Sequence, residues 1–259
     1  MKKNTFLLSG LLFVSVLISC NEKKLTEVVE VPLPSVQEKV TLGSPNDAKA
    51  SEGSFQLEKL PFAYDALAPD FSAITLESHY GKHYLNYTNN LNKAVLGTEL
   101  ENLTIEEVLK KLDINDPLIR NNAGGYYNHG LYFKCMTAKS DAEPKDTLAG
   151  TIAKNFGSFS NFKTTFKETA TKQFGSGWLW LVVDKTGVLQ LTTTQNQDNP
   201  LMPNVPVVGF HGTPILGIDL WEHAYFIDFQ YKKKNYIDAF FNHINWEVVN
   251  ENYQATFKK

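Results

Sequence analysis

The sequence predicts an α+β protein in which helices come first and a short antiparallel sheet comes late. From Ser72 to about Val95, the residues Leu76, His79, His83, Tyr87 and Leu91 recur at spacings of 3, 4, 4 and 4, which places all five on one helical face. From Gly175 the pattern switches. Trp178-Leu-Trp180-Leu-Val-Val-Asp184 and Val188-Leu-Gln-Leu-Thr-Thr-Thr194 are alternating or β-branched, and Lys185-Thr-Gly187 between them reads as a tight turn. A third strand is expected within Val205 to Asp219. Three short antiparallel strands with helices on one side form an α+β arrangement, since a parallel α/β sheet needs more and longer crossovers.

The remaining elements follow in order. Residues 1–19 read as a secretory signal: Met1-Lys2-Lys3-Asn4 is positive, and the apolar stretch Phe6 to Ile18 is too short to span a bilayer comfortably. Leu17-Ile18-Ser19-Cys20 resembles a bacterial lipobox, so Cys20 is expected to be the lipidated first residue of an exported, membrane-anchored protein. Residues 20–54 lack a sustained period and are expected to form a flexible tether. A helical domain over 55–140 and an α+β domain over 141–259 complete the organisation. In the first, Leu60 to Pro69 is irregular, Glu101 to about Leu112 is a minor helix, and a further helix follows Pro117. Ala123, Gly124 and Gly125 permit a second element to pack closely against that helix. In the second, Asp146 to about Phe174 gives two helices. Helix resumes near His223, is interrupted at Tyr231 to Tyr236, and ends as one amphipathic element from Ile237 to about Gln254.

Composition narrows the function. Loss of residues 1–19 removes Lys2 and Lys3 and no acid, leaving 23 basic against 28 acidic side chains and changing the formal charge from -3 to -5. A basic stripe is absent, which argues against a nucleic-acid partner. Beyond Cys20 only Cys135 remains, so no disulfide within the folded part is available.

Chemistry-bearing residues concentrate in Asp219-Leu-Trp-Glu-His223, a carboxylate and an imidazole four residues apart beside an indole. That is half of a metal site. The other histidines are His79, His83, His129, His211 and His243. His79 with His83 and Tyr87 forms an inward polar stripe, and close packing at Gly124 and Gly125 brings His129 toward His79. His79, His129, Asp219 and His223 together offer three neutral imidazoles and one carboxylate, a set suited to Mn, Fe or Zn. The spacing alone leaves catalytic and structural roles open.

Leu60-Pro-Phe-Ala-Tyr-Asp-Ala-Leu, His79-Tyr-Gly-Lys-His83-Tyr-Leu-Asn-Tyr87, Asn121-Asn-Ala-Gly-Gly-Tyr-Tyr-Asn-His129, Gly175-Ser-Gly-Trp178-Leu-Trp180, Gln195-Asn-Gln197-Asp and Asp219-Leu-Trp-Glu-His223-Ala-Tyr225 occur in this order. In this the chain resembles the iron/manganese superoxide dismutase family over residues 58 to 256. The resemblance implies an N-terminal helical hairpin and a C-terminal α+β domain with one Mn or Fe ion between them, held by His79, His129, Asp219, His223 and a water or hydroxide. It implies disproportionation of superoxide. Tyr87 and His83 would flank the substrate channel and Gln197 would hydrogen-bond the bound water, while Trp178, Trp180 and Trp221 hold the ligands and exclude water. It further implies a homodimer, with association of two dimers into a tetramer left open, in which Glu222 faces the partner's His223 and Tyr225 faces the partner's His83. The chain departs from the family pattern with Tyr80, where histidine is common, and Phe133, where tryptophan is usual. Gly125 and Gln197 stand as in manganese-type members, which favours Mn.

Overall fold

The computed structural model describes residues 42–141 and 143–258. The signal expected at 1–19, Cys20 and the expected tether as far as residue 41 lie outside the described residues. Among the described residues no helix is long and apolar enough to cross a membrane.

The histidine-bearing helix starts where Ser72, with extended backbone, accepts a hydrogen bond from Thr75 N. It runs as α1 (Ala73–Ser78), widens into a π-helical segment (His79–Tyr84) and continues as α2 (Leu85–Val95). The 3, 4, 4, 4 stripe thus spans one continuous helical path whose hydrogen-bond pattern changes at His79. Such widenings occur preferentially at functional sites. The end of the expected tether lies along this helix: Gly43 N donates to Glu77 Oε1 (3.0 Å), Ser51 N to Asn89 Oδ1 (2.8 Å), and Asn92 Oδ1 accepts from Phe55 N (2.8 Å).

The short helix α3 (Ile105–Lys111) begins in a reciprocal Thr104–Glu107 capping box. Asp116 caps α4 (Pro117–Lys134), with Pro117 at the first helical position where its missing N–H costs nothing. Helices α2 and α4 pack as the expected hairpin, and the glycines explain how. A Cβ on Gly125 would lie 2.4 Å from the Tyr87 ring, and one on Gly124 only 2.0 Å from the Gln197 carbonyl oxygen. One glycine therefore admits the neighbouring helix and the other admits the C-terminal domain.

Helices α5 (Asp146–Phe156) and α6 (Phe159–Lys172) bury Phe162 and Phe166 completely. The sheet has four strands, not the three expected. β1 (Gly177–Val183), β2 (Leu189–Gln195), β3 (Val207–Val208) and β4 (Thr213–Asp219) pair antiparallel in the order β3-β2-β1-β4. The single strand expected within Val205 to Asp219 divides because Gly209, at φ 128°, turns the chain away from β2 and sends it to the opposite edge of the sheet. Pro214 is accommodated where the β1–β4 register slips at Leu181/Val182. β1 is covered on both faces, so every one of its residues is buried despite its alternating look.

A short turn (Glu222–Ala224) and α7 (Phe226–Phe229) follow β4. The final helix expected from Ile237 is two helices, α8 (Lys233–Phe241), which already begins inside the interruption expected at Tyr231 to Tyr236, and α9 (Trp246–Ala255). Asn245 caps α9 through Val248 N, and Ile244 makes a β-bridge to Met136, so the helix cannot continue through the break.

Candidate metal centre

Four separate elements bring the donor atoms together. His79 opens the π-helical segment, His129 sits on α4, Asp219 ends β4 opposite Trp178, and His223 lies in the turn that follows. Their donor atoms all fall within 4.8 Å of one another. Asp219 Oδ2 is 3.0 Å from His223 Nε2, 3.1 Å from His79 Nε2 and 3.5 Å from His129 Nε2, while the Nε2 atoms of His129 and His223 face each other at 3.4 Å.

These residues fit a metal ion on the chemistry of the donors. His129 Nδ1 is 2.7 Å from the Gly125 carbonyl oxygen, which can only accept, so the proton resides on Nδ1 and Nε2 presents a lone pair to the cluster. A lone pair aimed at a carboxylate and at a second imidazole is poorly satisfied without a cation. His79, His129 and Asp219 are fully buried, which makes an unmet donor costly. Burial lowers the pKa of His79 and drives that of His129 well below the usual histidine range, keeping both as neutral ligands. Burial opposes ionisation of Asp219, but the imidazoles of His223 and His79 hold the carboxyl below its usual range. Asp219 Oδ1 accepts from Trp221 N at 2.8 Å, leaving Oδ2 for the cluster.

A second layer orients this set. Trp178 Nε1 and Asn128 Nδ2 each donate to Gln197 Oε1 at 3.1 Å, which fixes the amide so that Nε2 points to Tyr87 Oη, 3.2 Å away. Burial, and then the Asp219 charge, raises the Tyr87 phenol, so it stays protonated. His83 stacks on His223 with ring centroids 4.1 Å apart, and burial followed by the His223 and His79 rings lowers it to about 4. Trp178 meets His129 edge-on at 5.3 Å, Trp221 stacks on His223 at 5.6 Å, and Trp180 donates from Nε1 to Thr194 Oγ1 at 2.9 Å. Glu222 is exposed beside His223, whereas Tyr225 is buried against Tyr236. His211 and His243 lie outside the cluster, bonding through Nδ1 to the carbonyls of Pro200 and Thr137.

The two departures from the family pattern touch each other: the Tyr80 and Phe133 rings meet edge to face at 5.3 Å, and Phe133 packs on His79 at 4.9 Å. Sequence reasoning passed over Asn128, whose side chain bridges Gln197 and Asn199, and Tyr236, whose hydroxyl donates to the Asp219 carbonyl at 2.7 Å. Adjacency of Asn128 to His129 was a usable signal. Nothing local marks Tyr236.

The fold and donor set define a mononuclear metalloprotein in which a helical hairpin and an α+β domain close over one ion site. Residues 54–137 match the family description "Iron/manganese superoxide dismutases, alpha-hairpin domain", and residues 144–252 match "Iron/manganese superoxide dismutases, C-terminal domain". The chain belongs to the iron/manganese superoxide dismutase family.

Proposed function

We propose that the protein disproportionates superoxide, converting two superoxide anions and two protons into dioxygen and hydrogen peroxide. The observation that carries this reading is the Gln197 amide, locked by Trp178 and Asn128 with its N–H toward Tyr87, where both Trp178 and Tyr87 pack on His129 with ring centroids 5.3 and 5.1 Å away. A purely structural ion site has no use for a polar group held so rigidly beside it. Bound by His79, His129, Asp219 and His223, manganese or iron supplies a one-electron redox couple, which zinc lacks. Three neutral imidazoles and one carboxylate leave such an ion a net positive field that draws in a small anion. Tyr87 keeps its proton on Oη and offers it toward the pocket, with Gln197 Nε2 setting the phenol's position. His83, stacked on His223, walls the approach, and the buried Trp178 and Trp180 exclude water from the rear. Manganese is favoured. Tyr87 fills the space a side chain at position 125 would need, so the amide donor comes from Gln197.

A homodimer is part of this proposal, supported by exposed Glu222, Phe226 and Ile227 beside the metal ligand His223. So is lipid attachment at Cys20, supported by Leu17-Ile18-Ser19-Cys20, which places the activity in the cell envelope; mass spectrometry of the mature N-terminus tests it. For the activity itself, the protein is stripped of metal and reloaded separately with Mn and Fe, with metal content read beside each rate. Activity per bound Mn well above that per bound Fe supports the full reading. Comparable rates remove the manganese preference, and a filled site with no activity in either form overturns the proposal.

A further inference from the structure

We infer that the Arg120–Asp198 ion pair is the positioning device for Gln197, tying the loop that carries the amide to the helix that carries His129. Asp198 follows Gln197 directly and is buried, and Arg120 lies on α4 about two and a half turns before His129. Arg120 Nε and Nη2 each donate to one oxygen of the Asp198 carboxylate at 2.7 Å, while Nη1 donates to the Ile114 carbonyl at 3.1 Å. A planar fork of this kind fixes angle as well as distance. Eight residues further along the same helix, Asn128 Nδ2 donates to both the Gln197 carbonyl and its side-chain oxygen, each at 3.1 Å. Two anchors spaced along α4 thus set the height and tilt of the loop over the helix. From the C-terminal domain, Thr194 Oγ1 donates to the Asp198 carbonyl at 2.7 Å and Trp221 Nε1 to the Asn196 carbonyl at 2.9 Å, so the ion pair locks a loop already gathered from the sheet side.

Arg120 and Asp198 act on the centre only through Gln197. The inference therefore rests on the role proposed for that amide, and the test separates the two. The full protein is loaded with diamagnetic zinc and the indole N–H signals are followed by 15N NMR, with Trp178 assigned from W178F. Because Trp178 Nε1 donates to Gln197 Oε1, its signal reports where the amide sits. In R120M and D198N the Trp178 indole is expected to shift and its hydrogen exchange to accelerate about tenfold or more as the loop opens locally, with Trp246 unchanged. R120K, which keeps charge but loses the fork, falls between and serves if R120M does not fold. A wild-type Trp178 shift and exchange rate in folded R120M and D198N, or in folded R120K, overturns the inference. A displaced Trp178 signal with superoxide turnover unchanged in the manganese-loaded variants upholds the positioning and overturns the role given to Gln197.

Discussion

Replacing Gly124 by alanine tests how tightly the two domains close over the centre. The added Cβ would stand 2.0 Å from the Gln197 carbonyl oxygen and 3.0 Å from Met202 Cε, where ordinary contact begins near 3.4 Å, so carbonyl and helix need to part by about 1.4 Å. The obstacle is backbone, and that backbone is held by Asn128. Overpacking costs about 1–3 kcal/mol, a strained or broken Asn128 hydrogen bond in a buried site about 1–3 kcal/mol more, and the better helix propensity of alanine returns about 1 kcal/mol. The net loss of about 3 kcal/mol corresponds to a Tm lower by about 6–12 °C for a chain of this size. Displacing Gln197 by about 1 Å lowers turnover by up to about a hundredfold. Calorimetry and superoxide turnover on the metal-loaded protein measure both. Gly150→Ala is the control, since Gly150 lies exposed in α5 with nothing within 4 Å of its added Cβ; that change stabilises by about 0.5–1 kcal/mol. A Gly124→Ala protein that melts with the wild type and keeps its full rate would refute the packing argument.

Further outcomes follow from the same geometry. Gln197→Ala removes the acceptor of Trp178 and Asn128 and the partner of Tyr87, and turnover is expected to fall about 10–100-fold with metal content retained; loss of metal instead would mean that Gln197 holds the ligands. Asp219→Asn replaces the only charged donor among four, so metal measured after purification should drop to background while Gln197→Ala stays filled. Chelation should lower Tm, and added manganese should restore it in a concentration-dependent way, because the ion binds only the folded chain. At alkaline pH, burial pushes the Cys135 thiol and the Tyr126 phenol up to about 12 from ordinary values of 9.0 and 10.0. The folded state then holds these protons more tightly than the unfolded chain. Their contribution is complete below about pH 9 and is lost as pH rises toward 12. Denaturant midpoints should therefore fall steeply above pH 9, with a shallower fall in Cys135→Ala, and native Cys135 should resist thiol reagents until the protein unfolds.

Much was legible in local pattern. The 3, 4, 4, 4 stripe gives the helical path through His79, His83 and Tyr87, alternation gives β1 and β2, and Asp219-Leu-Trp-Glu-His223 announces half a metal site, because these depend on residues within a turn or two of one another. The inward stripe and the small residues Gly124 and Gly125 pointed to His79 and His129 as the other half, and resemblance to a family supplied the roles. The tertiary structure decided the rest. It split Val207–Val208 from Thr213–Asp219 across two sheet edges, since strand partners are chosen by packing and by the turn at Gly209 rather than by the strand's own composition. It ended α8 at Phe241, because Ile244 bridges to Met136 and the Asn245 N–H donates to the Cys135 carbonyl at 2.8 Å. It joined Arg120 to Asp198 and Asn128 to Gln197, pairs separated by 78 and 69 positions. The sequence by itself carries the ligand types and the elements that present them, because short-range sterics and periodicity are written locally. Only the fold determines which lone pair faces which carboxylate, because that depends on how far a glycine lets two backbones approach.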